Sequence, residues 1–193
     1  FVTDIGASVA ALTHGHPLGY IPAAALVYMI HRLIYDENTS NLEQITQDCI
    51  EYIGAKFKDK PDIRILKQLM HHAIQLSKQN IGDYDAIVQL GAGWVAEETL
   101  AIALYAVLKY QTNFKQAMVC AVNHSGDSDS TGAVAGNLLG ALTGMQAIHA
   151  AFDLTKLELY DIIFEIAEDL FYGCQMSVNE NYYDEKWLMK YCY

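Results

Sequence analysis

Apolar residues recur every three to four positions along almost the whole chain, and this helical period restricts the fold more than any other feature. Asn41, for example, can cap a helix that runs to about Ala55 and carries Leu42 and Ile45 on its buried stripe. No segment alternates apolar and polar residues for long, as a half-buried strand does. The sequence therefore predicts an all-α protein without internal repeats or linkers.

The predicted helices cover most of the chain. Pro22 is assigned to the first position of one helix, where its missing backbone N–H is tolerated. Thr155 is a candidate cap for a helix near the C-terminus. We expect one compact all-α domain over residues 1–193. The helices are predicted over residues 22–36, 41–55, 63–79, 83–90, 96–109, 113–122, 133–148 and 154–172, with a last short helix within 179–193.

Charge and composition exclude several classes of protein. Twelve Lys and Arg against 23 Asp and Glu give a formal charge of −11 without a basic stripe, so no nucleic-acid partner is expected. No run of about 18 uninterrupted apolar residues occurs, so we expect no transmembrane helix and no membrane partner. The four cysteines lack the spacing of a zinc site, and free thiols in a cytoplasmic protein are the simplest interpretation. A Cys174–Cys192 disulfide stays open, although nothing supports it.

The most polar stretch of the chain, residues 123–132, carries the first candidate site. Asp127 and Asp129 stand two residues apart, with three hydroxyl side chains between and after them. Hard oxygen ligands of this kind suit Mg²⁺, Mn²⁺ or Ca²⁺ rather than zinc. The simpler alternative is helix capping by Asp129, Ser130 or Thr131, which explains one carboxylate well and the second poorly. Taken alone, the composition supports the two interpretations about equally.

The helix that follows this stretch is unusually rich in glycine. Gly132, Gly136, Gly140 and Gly144 recur at four-residue spacing, and each interior glycine costs a helix about 1 kcal/mol relative to alanine. We therefore expect a close backbone contact along this face, in a central helix that is packed on most sides and holds its N-terminal loop rigidly.

Two further segments are candidate binding elements. Residues 12–20 read LTHGHPLGY and could bind an anion such as a diphosphate, although a turn with Tyr20 in the core is the favoured interpretation. Residues 90–98 read LGAGWVAEE, in which GxG without a preceding strand is a weak phosphate signal. Trp94 is either a core residue or a stacking surface, and for this segment alone the core interpretation is favoured.

Together, three segments of the chain resemble the ADP-ribosylglycohydrolase family, whose members remove ADP-ribose from modified protein side chains and include the dinitrogenase-reductase-activating glycohydrolases. The resemblance rests on LTHGHPLGY, LGAGWVAEETLAIAL and HSGDSDSTGAVAGNLLGAL, in the family's order, from about Ala10 to about Ala150. It implies an all-α orthogonal bundle of many helices around a two-metal centre, usually Mg²⁺ or Mn²⁺. The implied activity is metal-dependent hydrolysis of the bond at the ribose anomeric carbon.

The resemblance also assigns metal ligands. Asp127, Asp129 and Ser130 match the family's second ligand cluster, in which Asp-x-Asp is followed by Thr or Ser. In that scheme the two carboxylates fix one metal and are the candidate catalytic residues, and Ser130 adds an oxygen ligand.

The other matched residues are candidates for substrate binding. Gly19 and Tyr20 match the region that contacts the adenosine end of ADP-ribose. Gly93 and Trp94 match a loop near the substrate ribose. The full set is His14, Gly19, Tyr20, Gly93, Trp94, Gly126 and Ser128.

One part of the family pattern does not occur in the sequence. The family's first metal cluster is a Thr-Asp-Asp-Thr-like motif near its N-terminus, accompanied by an acidic residue in an earlier glycine-rich loop. Neither is found in the 193 residues, and the only early acid is Asp4. We therefore expect this chain to be the C-terminal portion of such a protein, incomplete at its N-terminus, with part of the site and little or no activity alone.

Two alternatives are compatible with the same resemblance. Some relatives of this fold are non-enzymatic lens crystallins, so the chain could be a non-catalytic ADP-ribose-binding or structural protein. It could also be a hydrolase that acts on another ADP-ribosyl-like or nucleoside substrate. The expected partners are an ADP-ribosylated protein or a small molecule like ADP-ribose, and a homo-oligomer is left open.

Overall fold

The structure, a computed structural model, describes residues 1–36, 41–173 and 185–191. Within these residues the backbone forms ten α-helices, one short 3-10 helix and no strand, which confirms the predicted all-α fold. In chain order the helices are α1 (Val2–Ala11), α2 (Pro17–Tyr35), α3 (Leu42–Lys56), α4 (Ile63–Ser77), α5 (Asp83–Leu90), α6 (Ala96–Tyr110), α7 (Phe114–Val122), α8 (Ser128–Ala151), α9 (Tyr160–Tyr172) and α10 (Glu185–Tyr191).

The chain divides into two compact units, residues 1–151 and residues 152–193. The first unit contains α1 to α8, and the described part of the second contains α9 and α10. Within the second unit, Lys190 of α10 forms ion pairs with Glu165 and Asp169 of α9. That the whole chain forms a single domain stays a prediction.

The core of the first unit is built around α6. Its residues from Leu100 to Leu108 are all buried, because the helix is apolar on every side. Helices α2, α4, α5, α7 and α8 pack against it, α1 packs along α2, and α3 packs on α2 and α4. The N-terminal turn of α6 therefore belongs to the best-packed helix of this unit.

The glycine-rich helix α8 is not the central helix, contrary to the prediction. It begins at Ser128 rather than at Ala133. Among the described residues, no neighbouring atom lies within 4 Å of a Cβ built at Gly140 or Gly144. Gly144 has φ +71° and marks a kink between two helical segments. In this half of α8 glycine thus permits a change of direction instead of a close contact.

Helix α2 begins at Pro17, not at Pro22 as predicted. His16 caps it, since the ring Nδ1 accepts a hydrogen bond from the Leu18 N–H at 3.2 Å. Pro17 occupies the first helical position, and Pro22 lies buried inside the helix. The preference of proline for the first position therefore applies to Pro17, and Gly19 falls in the first turn of a helix rather than in a loop.

By length and composition alone, α2 meets the criterion for a membrane span, which the sequence prediction did not anticipate. It has 19 residues, and its most apolar window has a mean hydropathy of 1.3. The helix packs on α1, α3, α4, α6 and α8. One third of that window is buried, and a core helix can pass the same test, so length and composition alone are weak evidence for a membrane span.

The predicted helix over residues 154–172 is divided in the structure. A 3-10 helix covers Leu154–Lys156, and α9 begins only at Tyr160. Asp153 rather than Thr155 caps the 3-10 helix, and its Oδ1 accepts a hydrogen bond from the Thr155 N–H at 3.3 Å. The predicted cap, Thr155, therefore lies two residues C-terminal to the observed cap, Asp153.

Two of the four cysteines lie in the described residues. Cys49 and Cys120 are buried free thiols, as predicted. Burial raises the pKa of Cys120 to about 12, so this thiol is protonated and inert at neutral pH. The pair Cys174 and Cys192 lies outside the described residues.

Candidate functional site

A cavity of about 410 Å³ in the first unit is lined by residues from all three segments singled out in the sequence. Gly19 comes from the first segment, Gly93 and Trp94 come from the second, and Asp127 and Ser130 come from the third. The chain thus folds so that segments far apart in sequence share one concave surface, as a binding site requires.

One wall of the cavity is apolar and another is built from helix ends. Pro22, Ala23 and Leu26 of α2 form the apolar wall. The first turns of α2, α6 and α8 contribute Gly19, Ala96 and Ser130. Such a lining can hold a ligand that is apolar at one end and charged at the other.

Asp127 and Asp129, called the acidic pair below, stand at the polar side of the cavity. Asp127 is half-buried and lines it, whereas Asp129 is exposed and does not. The pKa of Asp127 lies below its usual range, first because of a hydrogen bond shared with the Asp129 carboxyl and then because of hydrogen bonds from Ser130. In the described chain no lysine or arginine forms an ion pair with either carboxylate.

The chemistry of these donors fits a hard divalent cation. The acidic pair and the Ser130 hydroxyl offer only oxygen, which is the ligand type of Mg²⁺ and Mn²⁺. A cation held by these oxygens would offset the repulsion between the two carboxylates. The described residues contain no cluster of three or more His, Cys, Asp or Glu suited to a metal. Water or substrate would therefore complete the coordination shell.

Helix capping, the alternative interpretation, explains part of the same arrangement. The Ser130 N–H donates to Asp129 Oδ1 at 3.0 Å, a contact between neighbouring residues in the first turn of α8. This contact gives Asp129 a local structural role. Asp127 occupies the position just before α8, where its carbonyl accepts from the Thr131 N–H at 3.3 Å and its carboxylate hydrogen-bonds to the Ser130 backbone, as an N-cap does. Capping therefore accounts for Asp127 as well, and the cavity that Asp127 lines is the observation that points to a ligand.

The loop that carries Trp94 is fixed by hydrogen bonds to its backbone. Glu98 Oε2 accepts from the N–H groups of Ala92 at 3.0 Å and Gly93 at 3.1 Å. Thr99 Oγ1 donates to the Gly93 carbonyl at 2.9 Å. Trp94 is 75% exposed, so its interpretation as a core residue is wrong. The indole lies instead on a rigid loop beside the cavity, where it can stack on a ligand.

This loop and the acidic loop meet at one backbone contact. The Asp127 N–H donates to the Ala92 carbonyl at 2.8 Å. A Cβ at Gly126 would lie 1.8 Å from that carbonyl oxygen, and a Cβ at Gly93 would lie 3.0 Å from Thr131 Cγ2. Gly126 is therefore required by the approach of the two loops. Its predicted role in substrate binding stays a prediction.

His124 and Thr131 were not predicted as site residues, yet they hold the acidic loop in place. His124 Nδ1 accepts from the Gly126 N–H at 3.1 Å, so Nε2 carries the ring hydrogen and donates to Thr131 Oγ1 at 2.9 Å. Thr131 Oγ1 in turn donates to the Ala121 carbonyl at 2.7 Å. The only sequence signal for these hydrogen bonds is that a histidine and a threonine flank the acidic residues.

The first segment contributes less to the cavity than predicted, since Gly19 alone of its candidates lines it. His14 is exposed, and its side chain covers Gly19, where a Cβ would lie 2.7 Å from His14 Cβ. Tyr20 is half-buried and packs edge-on against Phe57, with ring centroids 6.4 Å apart. Five candidate residues do not line the cavity: His14, Tyr20, Gly126, Ser128 and Asp129.

Comparison with known proteins gives a family match and a distant relative. The family model described as ADP-ribosylglycohydrolase matches residues 2–179. The protein named ADP-ribosylhydrolase ARH3 from Bos taurus is 22% identical over 161 residues, which cover 72% of this chain and 43% of that protein. The chain thus spans less than half the length of this curated relative. No solved structure matches the chain significantly.

Proposed function

This chain belongs to the ADP-ribosylglycohydrolase family, and on that premise we propose that it takes part in the metal-dependent removal of ADP-ribose from modified protein side chains. The family match and the similarity to an ADP-ribosylhydrolase support a glycohydrolase. The observation that carries the proposal is the cavity in which Gly19, Trp94 and Asp127, from three distant segments, lie together.

The helix ends around the cavity support a ligand with a diphosphate, as ADP-ribose has. The first turns of α2, α6 and α8 line it through Gly19, Ala96 and Ser130. Helix N-termini carry partial positive charge, which favours anions. No lysine or arginine of the described chain lines the cavity, so the partial positive charge of these helix ends would supply the attraction for the diphosphate.

Asp127, Asp129 and Ser130 are the proposed ligands of Mg²⁺ or Mn²⁺. A bound ion of this kind stabilises developing negative charge and polarises a water molecule. Asp127 has the lowered pKa of the pair and lines the cavity, so it presents a charged oxygen to the ligand space. Trp94 offers a planar face on which the uncharged part of the substrate would lie.

The acidic pair alone does not complete a hydrolytic site, and we therefore propose low activity for the 193 residues by themselves. Hydrolysis at an anomeric carbon uses groups that donate and accept protons. A carboxylate that ligates a cation is held in its deprotonated form and is a poor donor. Besides the acidic pair and Ser130, the described residues offer no group of three or more His, Cys, Asp or Glu that could hold a metal, so proton transfer and a second ion would require other residues.

The proposal is tested on the purified 193-residue chain with Mn²⁺ and ADP-ribose. We expect Mn²⁺ to raise the melting temperature and ADP-ribose to bind in a calorimeter, with slow or undetectable hydrolysis of an ADP-ribosylated protein. Asp127→Asn is expected to abolish the Mn²⁺ response, whereas Asp153→Asn, an exposed aspartate of the second unit, should keep it. A wild-type chain that binds neither compound would refute the proposal. Rapid hydrolysis would refute the proposal that the 193 residues carry only part of the site.

A non-catalytic protein is the second candidate, because the described residues contain no group of three or more His, Cys, Asp or Glu that could hold a metal. A crystallin-like or ADP-ribose-binding relative needs no turnover. Lack of stabilisation by Mg²⁺ or Mn²⁺, together with unchanged ADP-ribose binding in Asp127→Asn, would favour this candidate. The cytoplasmic localisation and the homo-oligomer stay predictions.

A further inference from the structure

We propose that Glu98 is a positioning residue of this site, which sets the position of Asp127 through a single peptide unit. The inference rests on the proposed function. Glu98 lies in the first turn of α6, is half-buried and does not line the cavity. Any influence it has on a ligand must therefore pass through another group.

The peptide unit between Ala92 and Gly93 is that group, because it is bonded at both ends. Its N–H belongs to Gly93 and donates to Glu98 Oε2 at 3.1 Å. Its carbonyl belongs to Ala92 and accepts from the Asp127 N–H at 2.8 Å. A peptide unit is planar, so a rotation at the N–H end displaces the carbonyl end as well. Glu98 thus orients the plane on which the backbone of Asp127 is held.

Two glycines make room for this arrangement. At Gly91, where φ is +124°, a Cβ would lie 2.3 Å from Glu98 Cδ. At Gly126 a Cβ would lie 1.8 Å from the Ala92 carbonyl oxygen. A side chain at Gly91 would displace Glu98, and a side chain at Gly126 would displace the Ala92 carbonyl. Both contacts of the peptide unit therefore depend on glycine at these positions.

The chemical requirement at position 98 is a hydrogen-bond acceptor. One oxygen, Oε2, accepts from both Ala92 and Gly93, so a single acceptor atom is sufficient. The amide oxygen of glutamine can make the same two contacts. A glutamine at position 98 therefore distinguishes the need for a hydrogen-bond acceptor from the need for a negative charge. The same contacts fix Gly93, which precedes Trp94, so loss of the acceptor would also loosen the indole.

The experiment compares four variants of the full chain. Glu98→Ala removes the acceptor, Glu98→Gln keeps it, and Gly91→Ala displaces Glu98 by an independent route. Glu97→Ala is the matched control, because Glu97 is also half-buried and acidic and has no hydrogen bond to the loop in the described residues. The readouts are hydrogen exchange at the Asp127 amide, measured by NMR, and the dissociation constant of ADP-ribose with Mn²⁺, measured by calorimetry.

We expect Glu98→Ala and Gly91→Ala to speed exchange at the Asp127 amide and to weaken ADP-ribose binding by about tenfold or more, the usual effect of losing a supporting contact at a site. On the same basis the dissociation constant of Glu98→Gln should stay within about threefold of the wild-type value. Glu97→Ala should match the wild type in both measurements. Hydrogen exchange is measured without a ligand. A wild-type chain that binds no ADP-ribose would therefore refute the proposed function, while the exchange rates of the variants would still test the role of Glu98.

Two results would overturn the inference. The first is wild-type exchange at the Asp127 amide in whichever of Glu98→Ala and Gly91→Ala folds, because the peptide unit would then not depend on Glu98. The second is a Glu98→Gln variant as impaired as Glu98→Ala, since the amide oxygen would then have failed to replace the carboxylate. Rescue by glutamine is the result that a general loss of stability does not produce.

Discussion

Two acidic clusters in the first unit differ in how their charge is satisfied. Asp83, at the start of α5, accepts hydrogen bonds from Lys109 at 2.8 Å, Tyr105 at 2.9 Å and Tyr110 at 2.9 Å. These four residues are called the Asp83 cluster. The acidic pair has Ser130 as its hydrogen-bonding neighbour and no lysine or arginine partner in the described chain. The charge of Asp83 is thus balanced by a lysine of the protein, whereas no lysine or arginine of the described residues balances the acidic pair.

The difference shows that acidic residues beside a helix start do not by themselves mark a functional site. Burial alone would raise the pKa of Asp83, but the hydrogen bonds from Lys109, Tyr105 and Tyr110 outweigh it, and the pKa is lowered. Lys109 also donates to the Ile81 carbonyl at 2.9 Å, so its charge ties α6 to the segment before α5. What distinguishes the acidic pair is the lack of such a partner together with the cavity beside it.

The largest expected effect on stability follows from removing the acceptor of the Asp83 cluster. Asp83→Ala leaves Lys109, which is 18% exposed, and two tyrosine hydroxyls without their carboxylate. We expect the free energy of unfolding to fall by about 2–3 kcal/mol, less than for a fully buried pair because Asp83 is 34% exposed. Urea denaturation measures it. The Mn²⁺ response should remain.

Asp85→Ala is the matched control for this substitution. Asp85 lies in the same first turn of α5 but is exposed, so its removal tests the helix-dipole contribution alone. We expect a loss of about 0.5 kcal/mol or less. Equal losses in the two variants would show that the Asp83 cluster is not the structural contact described here.

The second prediction concerns pH. The pKa of Asp83 is lower in the folded state than in the unfolded chain, so its contribution is complete above the ordinary aspartate value of about 3.9 and is lost as pH falls through the folded value. Burial raises the pKa of Tyr110 to about 12, so the hydroxyl donor persists at neutral pH. The stability difference between wild type and Asp83→Ala should thus be constant from about pH 5 to 8 and shrink below about pH 4. A difference that stays constant to pH 3 would contradict this.

Much of the fold was predictable from the sequence, because helical periodicity and caps are local signals. The N-cap at Asn41 and the short helix Asp83–Leu90 are found where the pattern predicts them. The errors occur where two local signals compete. Pro17 and Pro22 both satisfy the rule for the first helical position, and the histidine cap at His16, which was not predicted, sets the start at Pro17. The burial of α6 rather than α8 is likewise a tertiary property.

The residues of the candidate site likewise divide into those with a local sequence signal and those without one. The cavity-lining residues Asp127 and Ser130 carry a compositional signal, since hard oxygen ligands cluster in one short segment. Glu98 and His124 were missed because their partners are backbone N–H groups of residues that any sequence could contain. The exposure of Trp94 was also missed, because a tryptophan in an apolar segment favours the core interpretation.

A smaller loss is expected from removing one donor of the Asp83 cluster. Tyr110→Phe deletes the hydroxyl that donates to Asp83 Oδ2 at 2.9 Å and keeps the ring. We expect a loss of about 1 kcal/mol, the usual net value of one hydrogen bond, in urea denaturation. Tyr84→Phe, on the exposed side of α5, is the control and should change stability by less than about 0.5 kcal/mol. A Tyr110→Phe chain as stable as this control would show that Lys109 and Tyr105 satisfy Asp83 without it.

The smallest effect on stability is expected at the hydroxyl next to the acidic pair. Ser130→Ala should change the free energy of unfolding by less than about 0.5 kcal/mol, while it weakens Mn²⁺ binding by about tenfold, because a proposed oxygen ligand is lost. Ser125→Ala, an exposed hydroxyl of the same loop that does not line the cavity, should change neither quantity. Calorimetric titration with Mn²⁺ and urea denaturation give the two values. If Ser130→Ala instead costs as much stability as Tyr110→Phe and leaves Mn²⁺ binding unchanged, the acidic pair is a second structural cluster, and the contrast with Asp83 does not hold.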